Sequence, residues 1–220
     1  MEKCFKVTFT RKSQPINFGY RIGDHFIAMV EQIHDLGVLF DSTFSFIPHI
    51  EEICTKASRT LGFVLRATGE FEDLSILRRL YFTYVISKLE YANLIWFPIY
   101  NCHLVPLERI HRKFFKYIIF RRTGRFPERG ADLSDIMVEM RIPSLLARRE
   151  EQCARFAQRL LTYRIDCPYL LSKIMLNIPR LVSRSTSTFY LPTARTNMFE
   201  RCPIYSICRS ADRLGMDVFG

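Results

Sequence analysis

The fold class follows from one stretch of the sequence, Ile50-Glu51-Glu52-Ile53-Cys54-Thr55-Lys56-Ala57-Ser58-Arg59-Thr60-Leu61-Gly62-Phe63-Val64-Leu65. Its apolar residues recur at intervals of three and four, which is the period of a helix with one buried face. Ser45 lies just ahead of this stretch and is a residue type that caps helices. Similar patterns predict helices near 73–91, 107–122, 134–140 and 144–164, and favour one more at 167–177.

The residues before this helix follow a period of two instead. Phe5, Val7 and Phe9 alternate with polar residues, which indicates a half-buried strand over 3–10. Gly23-Asp24 separates two short apolar segments and suits the turn of a hairpin. The sequence therefore predicts a hairpin and one further strand, formed by 18–22 with 26–30 and by 36–40.

Together these patterns predict an α+β, mainly α fold, in which a small N-terminal β piece precedes a helical bundle. Beyond Pro179 the sequence is rich in Ser, Thr and Arg, which indicates an irregular tail. We expect four regions: a β-rich segment at 1–44, a helical domain at 45–122, a second helical region at 123–178 and an irregular basic tail at 179–220.

The composition excludes several classes of protein. With 48% hydrophobic and 25% charged residues among 220, the chain can bury a core, and wholesale disorder is excluded. No run of about 18 apolar residues predicts a membrane span, and the first residues lack the apolar core of a secretory signal. The seven cysteines show neither CxxC nor zinc-finger spacing, which favours free thiols. We expect an intracellular protein, nuclear or cytoplasmic, that is not secreted.

The net charge of +10 lies entirely in the second half of the chain. Residues 1–104 carry 11 basic and 11 acidic side chains, whereas 105–220 carry 21 basic and 11 acidic ones. Such an asymmetry favours a polyanionic partner such as nucleic acid. A basic surface that merely keeps the protein soluble is the alternative.

The predicted helix at 107–122 carries the clearest local charge signal. Its basic residues Arg109, Arg112, Lys113 and Lys116 recur at helical spacing and share one stripe, and Arg121 and Arg122 extend the positive surface. Apolar residues occupy another face and can seat the helix on a core. Such a helix can contact phosphates with its basic side. The alternative is a solvated helix face without a ligand.

Signals of an enzyme site are missing from the sequence. It contains no Gly-rich phosphate loop, GxSxG or HExxH motif. The acidic pairs Glu51-Glu52, Glu72-Asp73 and Glu150-Glu151 lie on or near predicted helix surfaces, where adjacent side chains point apart. The five histidines lack a nucleophile partner and ligand spacing. The residues themselves therefore predict no catalytic or metal site.

Several short motifs follow one another along nearly the whole chain: Asp35-Leu36-Gly37-Val38, His49-Ile50, Lys56-Ala57-Ser58, Leu89-Glu90-Tyr91-Ala92 with Trp96, Leu107-Glu108-Arg109-Ile110, and Arg195-Thr196-Asn197. In content and order they resemble the C-terminal part of the reverse transcriptase of non-LTR retrotransposons, in particular the jockey-like elements of insects. Two positions depart from that pattern. His111 stands where these proteins commonly have Gln, and Ser210-Ala211-Asp212 lacks the Asn usual near the tail.

The resemblance implies a role for each region. Residues 1–44 would be a remnant of the palm, with Leu36-Gly37-Val38 as the primer-grip strand and Lys3 near the incoming nucleotide. Residues 45–122 would be the thumb, which closes over the duplex of template RNA and new DNA. The family's metal-binding Asp pair lies upstream of the segment similar to Lys3-Cys4, so the Mg²⁺ ions belong to the full-length enzyme. We expect this chain alone to hold no cofactor and to be inactive as an RNA-directed DNA polymerase.

Two other interpretations stay open. A stand-alone helical module would bind nucleic acid through the same basic stripe. A non-functional transposon relic would leave the edges of its N-terminal strands exposed. If the chain is part of a reverse transcriptase or a stand-alone module, the expected partners are an RNA template and an RNA–DNA duplex, with no membrane involved. The sequence indicates no oligomeric state.

Overall fold

A computed structural model describes residues 4–14, 16, 18–71, 73–96, 101–177, 187–200 and 202–215. Helices dominate, and the short strands precede them in the chain, which confirms the predicted α+β, mainly α class. Lys3, which the resemblance places near a nucleotide, lies outside the described residues.

The N-terminal region forms three two-stranded pieces rather than one sheet. Its strands are β1 (Phe5–Lys6), β2 (Arg21–Ile22), β3 (His25–Phe26), β4 (Ala28–Met29), β5 (Gln32–Asp35) and β6 (Val38–Asp41). β1 pairs with β4 in parallel, while β2–β3 and β5–β6 are antiparallel hairpins. The hairpin turn at Gly23-Asp24 is confirmed, but Ala28–Met29, expected in the same hairpin, pairs with β1 instead. Among the described residues of the strand expected over 3–10, ladder pairing is confined to Phe5–Lys6.

The strand predicted at 36–40 begins two residues late, at Val38. Leu36 and Gly37 instead form the tight turn between β5 and β6, with φ of 45° and 80°. Both values lie in the left-handed region that a two-residue hairpin turn requires. The segment Leu36-Gly37-Val38, predicted to be a primer-grip strand, is therefore mostly a turn. Tyr91 covers this turn, because its hydroxyl donates a hydrogen bond to the carbonyl of Leu36 at 2.7 Å.

The helices follow β6 in this order: α1 (Ile47–Ala67), α2 (Leu74–Tyr81), a π-helical segment (Phe82–Ile86), α3 (Ser87–Glu90), α4 (Asn101–Thr123), α5 (Ser134–Glu139), α6 (Leu145–Leu161), α7 (Pro168–Leu171), α8 (Asn197–Glu200) and α9 (Pro203–Arg213).

Asp41 organises the start of α1 together with Ser45, whose hydroxyl oxygen accepts a hydrogen bond from the backbone N–H of Ile47 at 3.3 Å. The residue before the helix is Phe46, which has φ of 56° and makes no side-chain cap hydrogen bond. The carboxylate of Asp41 accepts hydrogen bonds from the backbone N–H of Ser45 at 3.1 Å and of Phe46 at 2.8 Å. Burial alone would raise the pKa of Asp41. These two hydrogen bonds, together with the one from Thr43, outweigh burial and lower the pKa below its usual value. Asp41 thus joins β6 to the helical body.

The helix predicted at 73–91 is one continuous rod in which the π-helical segment separates α2 from α3. A π turn holds one residue more than an α turn, so it shifts the phase of the buried stripe. Tyr84, within the π-helical segment, is 51% exposed for this reason, whereas Tyr81, Val85 and Leu89 are fully buried.

α4 starts six residues earlier than predicted, at Asn101 instead of Leu107. Pro106, which directly precedes the predicted start, lies inside the helix and has no N–H, so one backbone hydrogen bond of the first turns is missing. The first core packs α1 against α2, α3 and α4, and the rings of Tyr81 and Phe114 stack there with centroids 3.7 Å apart.

A second core lies between α6 and α9. Its buried residues are Cys153, Ala154, Ala157, Phe189, Ile207, Cys208 and Ala211. The described tail has irregular backbone around Phe189, as expected, but it also contains the 11-residue α9, which the sequence patterns did not predict.

Candidate nucleic-acid interface

The candidate interface is the exposed side of α1 and α4, which lie against each other and run in the same direction. Tyr117 of α4 donates its hydroxyl hydrogen to the carbonyl of Leu65 at 3.0 Å. One turn further on, the guanidinium of Arg121 donates to the carbonyl of Thr68 at 2.8 Å. These bonds fix α4 along the C-terminal half of α1.

Two of the predicted basic residues, Arg109 and Lys113, line a groove between the two helices. The groove has a volume of about 490 Å³. Arg59 of α1 lines it from the opposite side, together with the hydroxyl-bearing Thr55 and Ser58. Arg59, Arg109 and Lys113 are all exposed, so three positive charges and two hydroxyl groups converge on one opening.

Arg112 and Lys116, on the same helix, contact the backbone of the loop that follows α4. The guanidinium of Arg112 donates to the carbonyl of Ala131 at 2.7 Å, and the ammonium of Lys116 lies 3.4 Å from the carbonyl of Glu128. Both partners are neutral backbone groups. The two side chains therefore hold the loop after α4 in place and keep their positive charge.

Arg121 and Arg122 are engaged within the fold. Arg121 donates to the carbonyls of Thr68 and Phe71 and so closes the C-terminal end of α1. Arg122 forms an ion pair with Glu139 of α5 at 2.6 Å. The geometry thus gives these two residues structural contacts, whereas Arg109 and Lys113 point to the groove.

The exposed side of both helices is free of acidic residues over its central turns. The sequence has none between Glu52 and Glu70 or between Glu108 and Glu128. Glu108 itself is half-buried and accepts hydrogen bonds from the first backbone N–H groups of α6, and burial raises its pKa. We call this surface the basic face and define it by Arg59, Arg66, Arg109, Arg112, Lys113 and Lys116.

Arg59 and Arg66 are the members of the basic face that sequence reasoning missed. They lie on a helix whose apolar stripe drew attention to its buried side. The signal was nevertheless present, because 53–69 contains Lys56, Arg59 and Arg66 and no carboxylate. Lys56 is paired with Glu52 at 2.5 Å and so contributes less net charge.

The predicted primer-grip residues are separate from this groove, whose lining residues in the described part of the chain belong to α1 and α4. Val38 is buried in the first core, while Leu36 is 84% exposed at its turn.

Buried polar contacts behind the basic face give it a rigid support. The hydroxyl of Tyr81 lies 2.7 Å from Nδ1 of His111, and Nε2 of His111 lies 3.1 Å from the carbonyl of Pro143. Burial lowers the pKa of His111 to about 4, so the ring is neutral and donates from Nε2. Nε and Nη2 of Arg148 donate to the two carboxylate oxygens of Glu90, which joins α3 to α6.

Within the described ranges, no group of three or more His, Cys, Asp or Glu side chains is arranged to hold a metal ion. Among the helices described, none has the length and apolar character needed to cross a membrane. Each of the seven cysteines is a free thiol.

Comparisons with protein-family models, curated proteins and solved structures find no match to this chain. The resemblance to non-LTR reverse transcriptases thus stays a prediction that depends on the short motifs alone.

Proposed function

We propose that this protein binds the backbone of a nucleic acid through its basic face. The observation that carries the proposal is the acid-free surface on which Arg59, Arg109 and Lys113 converge around the groove. Positive side chains that neutralise phosphates release counterions, which is the main source of non-specific affinity for nucleic acids. The hydroxyls of Thr55 and Ser58 add hydrogen-bond donors of the kind that contact phosphate oxygens.

In its finer form, the proposal makes the chain the thumb-containing part of a non-LTR retrotransposon reverse transcriptase. The thumb would correspond to 45–122 and would grip the duplex of template RNA and new DNA. An A-form duplex is recognised mainly by shape and backbone, and a rigid pair of helices with phosphate-binding side chains suits that mode. The free thiols agree with an intracellular location, in the nucleus or cytoplasm.

A stand-alone nucleic-acid module is a second candidate, and the packing of the helical body favours it. Apart from Val38 and the partly buried Phe40, every described residue of the two cores comes from 46–211, so the helices carrying the basic face need little from the β-rich segment. A primer-extension assay distinguishes both candidates, the polymerase fragment and the stand-alone module, from an active polymerase. On both we expect no template-dependent nucleotide incorporation by the purified chain with Mg²⁺ or Mn²⁺.

The proposal is tested by binding of a fluorescent RNA–DNA hybrid over a salt series. The variant Arg109→Ala/Lys113→Ala should lower the affinity about tenfold or more, and it should flatten the slope of log affinity against log salt by up to about 0.9 per lost phosphate contact. The control Arg164→Ala/Arg195→Ala also removes two exposed positive charges, but away from the groove. If both double variants behave alike, the groove is not the binding site.

A further inference from the structure

Phe63 is an exposed aromatic ring in the middle of α1. Its relative exposure of 63% exceeds that of every other residue of this helix among the large apolar ones, and no other described ring stacks on it. Arg59 and Arg66 lie one turn before and almost one turn after it, so all three side chains share the exposed side of the helix. An apolar ring thus stands between two guanidinium groups.

Gly62, the residue before Phe63, has no side chain to cover the helix backbone beside this ring. Glycine inside a helix is destabilising relative to alanine. A Cβ atom at Gly62 would lie 3.4 Å from Nη1 of Arg66, so the Arg66 side chain runs over the bare backbone at this point. The surface next to Phe63 therefore carries the guanidinium of Arg66, and Arg59 connects it with the groove.

We infer that Phe63 stacks on an unpaired base where a single strand leaves the bound duplex. This inference rests on the proposed function and names the substrate within it: a duplex with a single-stranded extension rather than a blunt one. Bases stack on aromatic side chains with little regard to sequence, while positive neighbours bind the adjoining phosphates.

The charges beside Phe63 favour a nucleotide over an apolar protein surface. Packing an apolar partner on this ring would remove Arg59 and Arg66 from water without a counter-charge, which is costly. A nucleotide within a strand supplies the apolar face of its base for the ring, and the phosphates on its 5′ and 3′ sides supply one partner for each guanidinium. Both needs of the site are met by one ligand.

The experiment compares a blunt RNA–DNA hybrid with the same hybrid carrying a single-stranded extension of the RNA strand. A second, otherwise identical extended hybrid carries 2-aminopurine at the first unpaired position. Phe63→Leu keeps an apolar side chain but removes the aromatic ring. It should weaken binding of the extended hybrid about tenfold and leave the blunt hybrid unchanged. Phe63→Tyr should retain the preference, and 2-aminopurine fluorescence should be quenched by the wild type and Phe63→Tyr only.

Phe26→Leu is the matched control, since Phe26 is 65% exposed in the β-rich segment. The salt dependence should be the same for Phe63→Leu and the wild type, because no phosphate contact is lost. Equal loss of affinity for both hybrids, or no loss for either, would overturn the inference and leave the proposed function standing. If the wild type binds neither hybrid, both the inference and the proposed function fail.

Discussion

The β-rich segment at 4–44 and the helical body at 45–215 use their apolar residues in opposite ways. Among the described residues of the segment, only Val38 and Asp41 are buried, while large rings and aliphatic chains such as Phe18 and Ile16 are 63% and 81% exposed. In the body, rings such as Tyr81, Trp96 and Phe114 are fully buried. The segment also consists of short two-stranded pieces, which are marginally stable by themselves. An alternating pattern of polar and apolar residues thus produces a stable sheet only where a second layer covers its apolar side.

The largest expected contrast is in the free energy of unfolding. Phe114→Ala removes a fully buried ring that stacks on Tyr81, so it should destabilise the protein by about 3–5 kcal/mol. Phe18→Ala changes an exposed ring in the β-rich segment and should stay within about 0.5 kcal/mol of the wild type. Urea unfolding followed by circular dichroism measures both values. Similar losses would show that the two regions share one core.

The next contrast concerns acid, because the helical body contains the buried neutral His111. Its pKa is lowered by burial from 6.5 to about 4, so between these values the unfolded chain binds a proton that the folded chain does not. Stability from this residue is therefore full above pH 6.5 and falls by about 3 kcal/mol as the pH drops to 4.

His111→Gln tests this assignment. A glutamine amide can donate to the carbonyl of Pro143 and accept from Tyr81, but it does not titrate. The variant should unfold with a flatter pH dependence between 6.5 and 4, measured by thermal unfolding in a buffer series. An unchanged pH dependence would mean that another group dominates, with His49 as the first alternative because burial also lowers its pKa.

The smallest expected effect on the helical body is that of cutting the β-rich segment. Chymotrypsin cleaves after exposed aromatic residues, and Phe5, Phe9, Phe18, Tyr20 and Phe26 are all accessible. We expect the first cuts within 4–30 and a resistant product that begins near β5, since the backbone N–H of Leu39 donates to His49 of α1 at 3.1 Å. Mass spectrometry of a timed digest locates the cuts. Early cleavage inside α1 or α4 would reverse the comparison.

Helices such as α1, α4 and α6 can be predicted from the sequence because their apolar residues repeat over several turns. α9 is harder to predict, since this short helix buries only Ile207, Cys208, Ser210 and Ala211 in a region rich in polar residues. The turn at Leu36 was misassigned because a leucine with positive φ is uncommon, and only Gly37 indicated a turn.

Only part of the candidate site can be predicted from the sequence, for a related reason. A stripe on one helix can be read from residue spacing, so Arg109 and Lys113 were found. Their meeting with Arg59 depends on how α1 packs against α4, which involves residues about 50 positions apart, such as Tyr117 and Leu65. The same packing decided that Arg121 would close α1 instead of facing solvent.

The π-helical segment makes the rod from Leu74 to Glu90 tolerant of a change in length at one place. Because the wide turn holds one residue more than an α turn, deleting one residue from Phe82–Ile86 would convert it into an ordinary α turn and leave the residues after it close to their present orientation. Leu89 would stay in the core, and Glu90 would stay beside Arg148. The loss of a single codon at this turn would therefore preserve the angle at which the first half of the helical body meets the second.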